Sequence, residues 1–237
     1  GNDLQSFRPR EWSLDAGYSR SLSDKIGVGV ALRFIYSNLA NGNTNGVTYK
    51  PGTAVAGDLS FYYNGINENG QGFTAGAVMS NLGSKISYTN DARGRDYIPA
   101  NLGIGAMYHA VLDETSKLSF GVDINKLLVP TPPTSRSPEA LDAYRNKSVI
   151  SSWFSSFGDA PGGFGEELKE FQISTGMEYN YSDLFFARAG YFHEARTKGN
   201  RRFFSAGLGV KYNKLGFNFS YLVPTGQGIN RNPLSNT

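Results

Sequence analysis

Few side chains in this chain can do acid–base or nucleophilic chemistry, and they are scattered. The 237 residues include two histidines, His109 and His193, and no cysteine, which excludes disulfides, thiolate chemistry and cysteine-ligated metals. The Gly-x-Ser-x-Gly motif of hydrolases is absent. Neither histidine has a partner at the spacing of a zinc or calcium site. The sequence therefore predicts no catalytic residue, no metal and no cofactor, and we expect both histidines to be structural.

Composition restricts the class of protein. The formal net charge is +3 and the basic residues are dispersed, so no basic stripe indicates a nucleic-acid partner. No stretch approaches the ~18–20 apolar residues that a membrane-spanning helix needs. Glycine and aromatic residues are abundant, with 29 Gly, 16 Phe and 14 Tyr. Such a composition fits either a soluble β-sandwich or a membrane β-barrel, in which only alternate residues meet lipid.

Apolar and small residues alternate with a period of two along much of the chain. From Ile26 to Tyr36 every second residue is large and apolar, and the intervening positions hold Gly, Ala and Arg33. This period is typical of β-strands, because a helix would distribute the apolar residues around its circumference. Ten strands are predicted, at residues 11–20, 25–37, 53–64, 71–80, 99–111, 117–127, 171–181, 183–194, 202–212 and 215–222.

Strand length and the second face favour a barrel over a sandwich. Most predicted strands have about 10–12 residues, whereas globular strands average about 5–6 and membrane-spanning strands need about 9–11. The face opposite the large residues carries Gly, Ala, Ser and occasional charges, as expected of a barrel lumen. We predict an all-β fold, a transmembrane antiparallel β-barrel. The candidates for a lumenal charge network are Arg33, Asp58, Asp123, Glu178 and Arg188.

The connections between strands alternate between short and long, as in outer-membrane barrels with short periplasmic turns and long extracellular loops. The long connections are residues 38–52, 81–98, 128–170 and 195–201. This phasing places both chain ends on the extracellular side. We therefore expect residues 1–237 to form part of one barrel domain that lacks an odd number of strands at each end. The polar start of the chain shows no signal peptide, which an outer-membrane protein requires in its precursor.

Residues 128–170 are too long for an ordinary connection and have helical features. Ser137-Pro138-Glu139 is a favourable helix start, with an N-cap serine and a proline in the first turn. A second apolar stripe includes Trp153, Phe154 and Phe157, and ends at Gly158. These three side chains either pack against the barrel rim or contact a partner, and both roles are compatible. They are our candidate partner-binding residues, in a partly helical extracellular loop.

Sequence blocks in order along most of the chain carry a family likeness: Phe7-Arg8-Pro9-Arg10-Glu11-Trp12, Ile35-Tyr36-Ser37-Asn38-Leu39, Ser80-Asn81-Leu82-Gly83, Arg188-Ala189-Gly190-Tyr191-Phe192-His193-Glu194, Lys198-Gly199-Asn200-Arg201-Arg202-Phe203-Phe204, Gly207-Leu208-Gly209 and Tyr221-Leu222-Val223-Pro224. These blocks resemble the PorV family of the type IX secretion system. The resemblance implies a FadL-like barrel of fourteen strands, which agrees with three missing strands before residue 1 and one after residue 237.

The resemblance also implies a role and a location. A PorV-like protein lies in the bacterial outer membrane, in contact with its lipid, and has no enzymatic activity. It binds the C-terminal signal domain of secreted cargo proteins at the SprA translocon barrel and delivers them to the attachment complex with the sortase PorU. The implied cargo-facing loops are residues 38–52, 81–98 and 128–170.

Two other functions are compatible with the predicted fold. The first alternative is a FadL-like outer-membrane transporter of hydrophobic compounds, which predicts a continuous apolar pocket and a lateral opening through the wall. The other is an enzyme acting on lipopolysaccharide, which predicts polar groups clustered around His109 or His193.

Overall fold

Ten long strands make up most of the protein. The structure is a computed structural model and describes residues 8–39, 42–44, 46–90, 94–135 and 137–225. We number the long strands β1 to β10. They are β1 Arg10–Ser21, β2 Ile26–Asn38, β3 Gly52–Asn64, β4 Gly72–Gly83, β5 Asn101–Val111, β6 Ser116–Leu127, β7 Gln172–Tyr181, β8 Phe185–His193, β9 Arg202–Tyr212 and β10 Leu215–Pro224. Each predicted strand is present, with ends within about three residues of those expected from the sequence.

These strands form one antiparallel sheet in which every strand pairs with its neighbour in sequence. The register is continuous from β1 to β10 except for one irregularity between Gly57 and Leu59, where β3 meets β4. Such a bulge bends the strand and increases its twist. The predicted all-β fold class and the count of about ten strands in this chain are confirmed. The sheet is open between β1 and β10 within the described residues, and a total of fourteen strands stays a prediction.

One face of the sheet is a continuous apolar surface. Leu32 on β2 and Leu59 on β3 are 68% and 52% exposed, although both lie near the middle of their strands. The pairing register carries the same face from strand to strand through further exposed apolar side chains: Trp12, Leu14, Val30, Phe61, Ile104, Phe120, Leu208, Phe217 and Phe219. An apolar surface of this extent is typical of contact with lipid or protein, and on strands of this length it matches the outer band of a membrane barrel.

The opposite face, which we call the inner face, carries small residues and two groups of paired charges. Arg33 forms ion pairs with Asp15 on β1 and with Asp58 on β3, the latter at 3.3 Å. Asp58 also accepts a hydrogen bond from the backbone N–H of Asn81 at 2.7 Å. These contacts confirm part of the predicted lumenal network.

The second group of paired charges lies on β7 and β8 and includes a neutral amide side chain from β10. Arg188 Nε donates to Glu178 at 2.5 Å and its Nη1 donates to Asn218 at 2.7 Å. Asp123 belongs to neither group. It lines a shallow inner-face cavity of about 390 Å³ together with Gly105 and Asn125. The five predicted residues therefore share one face, but the ion pairs of the described residues divide four of them into two separate clusters and leave Asp123 outside both.

Short turns and long loops alternate as predicted. In the turn between β7 and β8, Ser182 and Asp183 have φ of 55° and 54°, as the favoured two-residue hairpin turns require. The long connections contain helices α1 Pro138–Asn146, α2 Val149–Ser155 and α3 Phe164–Glu167, 3-10 turns Leu168–Glu170 and Arg196–Lys198, and two small hairpins, Gly42–Thr44 with Val47–Tyr49 and Ile86–Ser87 with Arg95–Asp96. We call the end of the sheet that bears these loops the rim.

The helix start predicted at Ser137 is confirmed, because its Oγ accepts a hydrogen bond from Ala140 N at 3.3 Å. Across the described ranges, no helix has both the length and the apolar character needed to cross a membrane.

A new charge should destabilise the fold more on the apolar face of the sheet than on the inner face. Leu59→Arg places a guanidinium in the apolar band near mid-strand, and we expect it to lower the free energy of unfolding by about 2–4 kcal/mol. Residue 60, the next along the strand, points to the inner face, so Ser60→Arg should lower the free energy of unfolding by clearly less. Urea titration of the full-length protein folded into lipid vesicles measures both. Equal destabilisation by the two variants would contradict the assignment of faces.

Candidate partner-binding surface on the rim

Near the rim, the hairpin of Ile86–Ser87 with Arg95–Asp96 is attached to the inner face of the sheet. Tyr88 donates from its hydroxyl to Ser37 Oγ at 2.9 Å, and Ser37 donates to Glu11 at 2.6 Å. The backbone N–H of Lys50 donates to Tyr88 O at 2.8 Å, which links the two small hairpins. Beneath them lies the main buried apolar cluster among the described residues, made of Ala54, Ala56, Ile86 and Ile98. The hairpin loops are therefore packed on the wall and do not extend freely into solvent.

Helix α1 is attached to this hairpin layer through its C-terminal carbonyls. Lys85 Nζ donates to the carbonyls of Arg145 and Lys147 at 2.6 and 2.7 Å. The Tyr97 hydroxyl donates to the carbonyls of Tyr144 and Lys147 at 3.0 and 2.8 Å. These donors satisfy groups that the end of a helix leaves unpaired, and a lysine there also interacts favourably with the helix dipole. Burial raises the pKa of Tyr97, so its hydroxyl remains a donor at neutral pH.

A buried ion network joins the long loop to the wall. Lys126, at the end of β6, is 1% exposed and its Nζ contacts Glu167 at 3.2 Å and Glu170 at 2.6 Å. Lys198 from the last loop contacts Glu166 at 2.8 Å and Glu170 at 2.9 Å. Glu170 thus bridges a lysine at the end of strand β6 and a lysine of the last loop. Burial alone would raise the pKa of Glu170, but the hydrogen bonds from Lys126 and Lys198 outweigh it and lower that pKa.

The connection between β8 and β9 is held by a pair between Glu194 and Arg201 at its two ends. Arg201 donates from Nε and Nη2 to the two oxygens of Glu194, both at 2.8 Å. Gln172 donates to the same carboxylate at 3.0 Å. A two-point arginine–carboxylate pair is among the stronger polar contacts in proteins. Burial opposes ionisation of Glu194, but the Arg201 hydrogen bonds lower its pKa. The loops of the rim are therefore held in a defined arrangement.

Helix α2 presents an apolar surface outward from this fixed layer. Phe154 is 71% exposed and Phe157 is 46% exposed. Together with exposed Ile150 they occupy positions i, i+4 and i+7, which share one side of a helix; Ile150 and Phe154 lie in α2, and Phe157 lies in the turn that follows it. We call these three residues the α2 apolar face. Ser152 and Ser156 are fully buried on the other side, and each donates to a backbone carbonyl three residues earlier.

The three candidate partner-binding residues differ in exposure. Phe154 and Phe157 are exposed, whereas Trp153, three residues after Ile150 and four before Phe157, is half-buried. The apolar pattern alone does not fix which of these side chains is the more buried. Phe164 and Leu168, further along the same loop, are also strongly exposed. Whether these side chains contact a partner stays a prediction.

A polar cluster around His109 was not predicted from the sequence. The two nitrogens of His109 contact Ser119 Oγ at 2.9 Å and Thr74 Oγ1 at 3.5 Å, across three adjacent strands on the inner face. The sequence does contain a signal for this cluster, because a β5–β6 hairpin that turns at residues 112–116 places residue 109 opposite residue 119. No carboxylate joins this group among the hydrogen bonds of the described residues. His193 lies on β8 with its ring 6.2 Å from that of Tyr191.

The described part of the chain also has no group of three or more His, Cys, Asp or Glu side chains arranged to hold a metal ion.

Comparison with known proteins identifies the family. Residues 2–134 match the family described as "Type IX secretion system protein PorV", which is more than half of the 237 residues. The chain belongs to the PorV family. Its place as a component of the type IX secretion system follows from that membership, and the family resemblance stated from the sequence is confirmed.

The chain can also be compared with curated proteins and with solved structures. No curated protein matches the chain. Among solved structures, the chain is similar to the Ralstonia pickettii toluene transporter TbuX, with 11% sequence identity and a TM-score of 0.42. The match covers 90% of this chain and 62% of that chain, so this chain spans less than two thirds of the transporter's length.

Removing the buried lysine should release the long loop. Lys126→Met leaves Glu167 and Glu170 buried with one cation fewer, and breaking such a pair costs about 3–5 kcal/mol. We expect amide protection in residues 164–170 to fall while the strands keep theirs, measured by hydrogen exchange. Lys117→Met is the matched control, because its ion pair with Asp183 is exposed and contributes at most about 1 kcal/mol. Unchanged protection in Lys126→Met would contradict the role of the network.

The same network predicts a pH dependence. Because the pKa of Glu170 in the fold lies below its ordinary 4.5, its contribution is complete above that pH and is lost as pH falls through the lowered pKa. Hydrogen bonds to Glu166 and Glu170 outweigh burial and raise the pKa of Lys198 above 10.5, so its contribution is lost only in strong alkali. Trp153 fluorescence in a Trp12→Phe background should change below pH 4.5 and be constant from pH 5 to 9. In Glu170→Gln the acid change should be smaller; an identical profile would exclude Glu170 as its source.

Proposed function

We propose that this protein is a non-enzymatic cargo-binding barrel of the bacterial outer membrane. In this proposal it binds the C-terminal signal domain of secreted proteins as they leave the SprA translocon and delivers them to the attachment complex that contains PorU. The observation that carries the proposal is the α2 apolar face, exposed on a loop that the Lys126 network fixes to the wall. Family membership supplies the secretion system in which such a face would act.

A fixed apolar surface is well suited to protein recognition. Exposed aromatic side chains lose little conformational entropy on binding, and they supply much of the energy of protein interfaces. Because the rim loops are held by hydrogen bonds and buried charges, α2 needs little ordering when a partner arrives. The loop within residues 81–98 bonds to the end of α1 through Lys85 and Tyr97, and the loop within residues 38–52 bonds to the 81–98 loop through Tyr88, so both would contribute to the same cargo-facing surface.

The inner face supports a shuttle over a transporter of hydrophobic compounds. A conduit for apolar molecules needs a continuous apolar lining, whereas the described inner face carries the Arg33 and Arg188 ion-pair groups and many small residues. Catalysis is not favoured by the His109 group either, because a serine–histidine pair usually requires a third group that orients the histidine.

Removal of the α2 apolar face tests the proposal. Phe154→Ser/Phe157→Ser should reduce recovery of cargo signal domains by at least about tenfold, because two exposed aromatic contacts at an interface contribute about 1–2 kcal/mol each. The measurement is affinity purification of the full-length protein from its native outer membrane, with quantification of the co-purified proteins. Unchanged barrel content and heat modifiability on gels would show that the variant still folds.

The matched control is Leu22→Ser/Leu112→Ser, which removes two exposed apolar side chains, 62% and 58% exposed, from turns at the opposite end of the sheet. We expect cargo recovery to be unaffected. Recovery of SprA and signal-domain proteins with wild type and control, but not with the α2 variant, supports the proposal. Recovery of fatty acid or another apolar small molecule in place of proteins would reject the shuttle in favour of a transporter.

A further inference from the structure

A polar cleft opens on the rim between the hairpin 86–96 and the junction of α1 with α2. Its volume is about 590 Å³. We call it the rim cleft. The residues that line it are Lys50, Pro51, Thr53, Ser84, Lys85, Ser87, Arg95, Asn146, Lys147, Ser148 and Val149. The α2 apolar face and the Lys126 network lie outside this set, so the cleft is a separate feature of the rim.

The lining is strongly positive. Among the described residues, the lining contains four cations, Lys50, Lys85, Arg95 and Lys147, and no carboxylate. Only Lys147 has an acidic partner among the described residues, Asp159 at 3.6 Å. Burial, followed by repulsion from Arg95, lowers the pKa of Lys85. An anion placed in the cleft would relieve this repulsion.

The donors in the cleft are oriented before any ligand arrives. Lys85 Nζ is fixed by two backbone carbonyls of the α1 end and lies 4.3 Å from the centre of the Tyr97 ring. An ammonium has three N–H groups, so one remains for a ligand. The Ser84 hydroxyl accepts from Val55 N at 3.2 Å, and its own proton remains available. Arginine, lysine and hydroxyl donors together form the usual environment of a bound phosphate.

The position of the cleft indicates where the anion comes from. Thr53 lies on β3 two residues before Val55, which is 56% exposed in the outer apolar band. Side chains two apart on a strand share a face and lie about 7 Å apart. The edge of the cleft at Thr53 therefore lies about one such step above the apolar band, on the outward side of the wall. This is the level at which lipid headgroups meet a barrel, and basic pockets at that level bind anionic headgroups.

We propose that the rim cleft binds the phosphate group of a membrane lipid at the rim, with Lys50, Lys85 and Arg95 as its cationic ligands. The lipid tails would lie along the outer apolar band below Thr53. Free inorganic phosphate has the same group chemistry but no tails, so it would bind more weakly. This inference does not depend on the cargo-binding role of α2.

Native mass spectrometry of the full-length protein in detergent, titrated with dioleoyl phosphatidic acid, tests the site. We expect wild type to retain the lipid and Lys50→Gln/Arg95→Gln to bind it at least about tenfold more weakly, because each basic residue near an anionic headgroup contributes about 1 kcal/mol. Lys85 is left intact because it also holds the end of α1. The control Lys25→Gln/Lys214→Gln removes two exposed lysines from turns at the opposite end and should bind as wild type does.

Each arm of the experiment has an outcome that overturns part of the proposal. Equal weakening in both double variants, or in neither, would remove the site from the rim cleft. Equal retention of dioleoylglycerol, which lacks the phosphate, would show that the tails alone are bound. Displacement of phosphatidic acid by an equal concentration of inorganic phosphate would assign the cleft to a soluble anion.

Discussion

The constraint on which the rest of the structure depends is that backbone hydrogen bonds in an apolar setting must be satisfied inside the protein. The ten strands meet it by pairing consecutively, each with both neighbours in sequence between β1 and β10. Consecutive antiparallel pairing permits short turns, which this protein uses at one end of the sheet, while the other end bears the long insertions. It also imposes two faces with a period of two, so apolar side chains such as Leu32 face outward while Arg33 faces inward.

Charge is distributed in accordance with that constraint. Within the wall, described ion pairs lie on the inner face, where Arg33 and Arg188 each have a carboxylate on a neighbouring strand. At the rim, Lys126 ends the wall, and its buried contacts with Glu167 and Glu170 attach the long loop to it. Burying a lysine is costly unless its partners are well placed. The same contacts therefore specify one docked arrangement of the loop.

The strands of the wall could be predicted from the sequence, but the contacts that fix the rim loops could not. A period of two is a local signal, so the strand from Ile26 to Asn38 is visible in its own residues. The contact of Lys126 with Glu170 joins positions 44 residues apart, and no local pattern encodes it. The phase of α2 is an intermediate case. The buried serines, Ser152 and Ser156, lie on the side opposite exposed Phe154, and small polar residues rarely indicate the packed side of a helix.

The two surfaces proposed for the rim share their supports. Asn146 and Lys147 end α1 and line the rim cleft, and Val149 lines the same cleft while it begins α2. Lys85 faces the cleft and also holds the carbonyls of Arg145 and Lys147. A phosphate in the cleft would therefore offset the repulsion between Lys85 and Arg95 at the point that sets the direction of α2. Lipid at the rim and a protein partner on the α2 apolar face would then depend on one short segment, residues 145–149, for their positions.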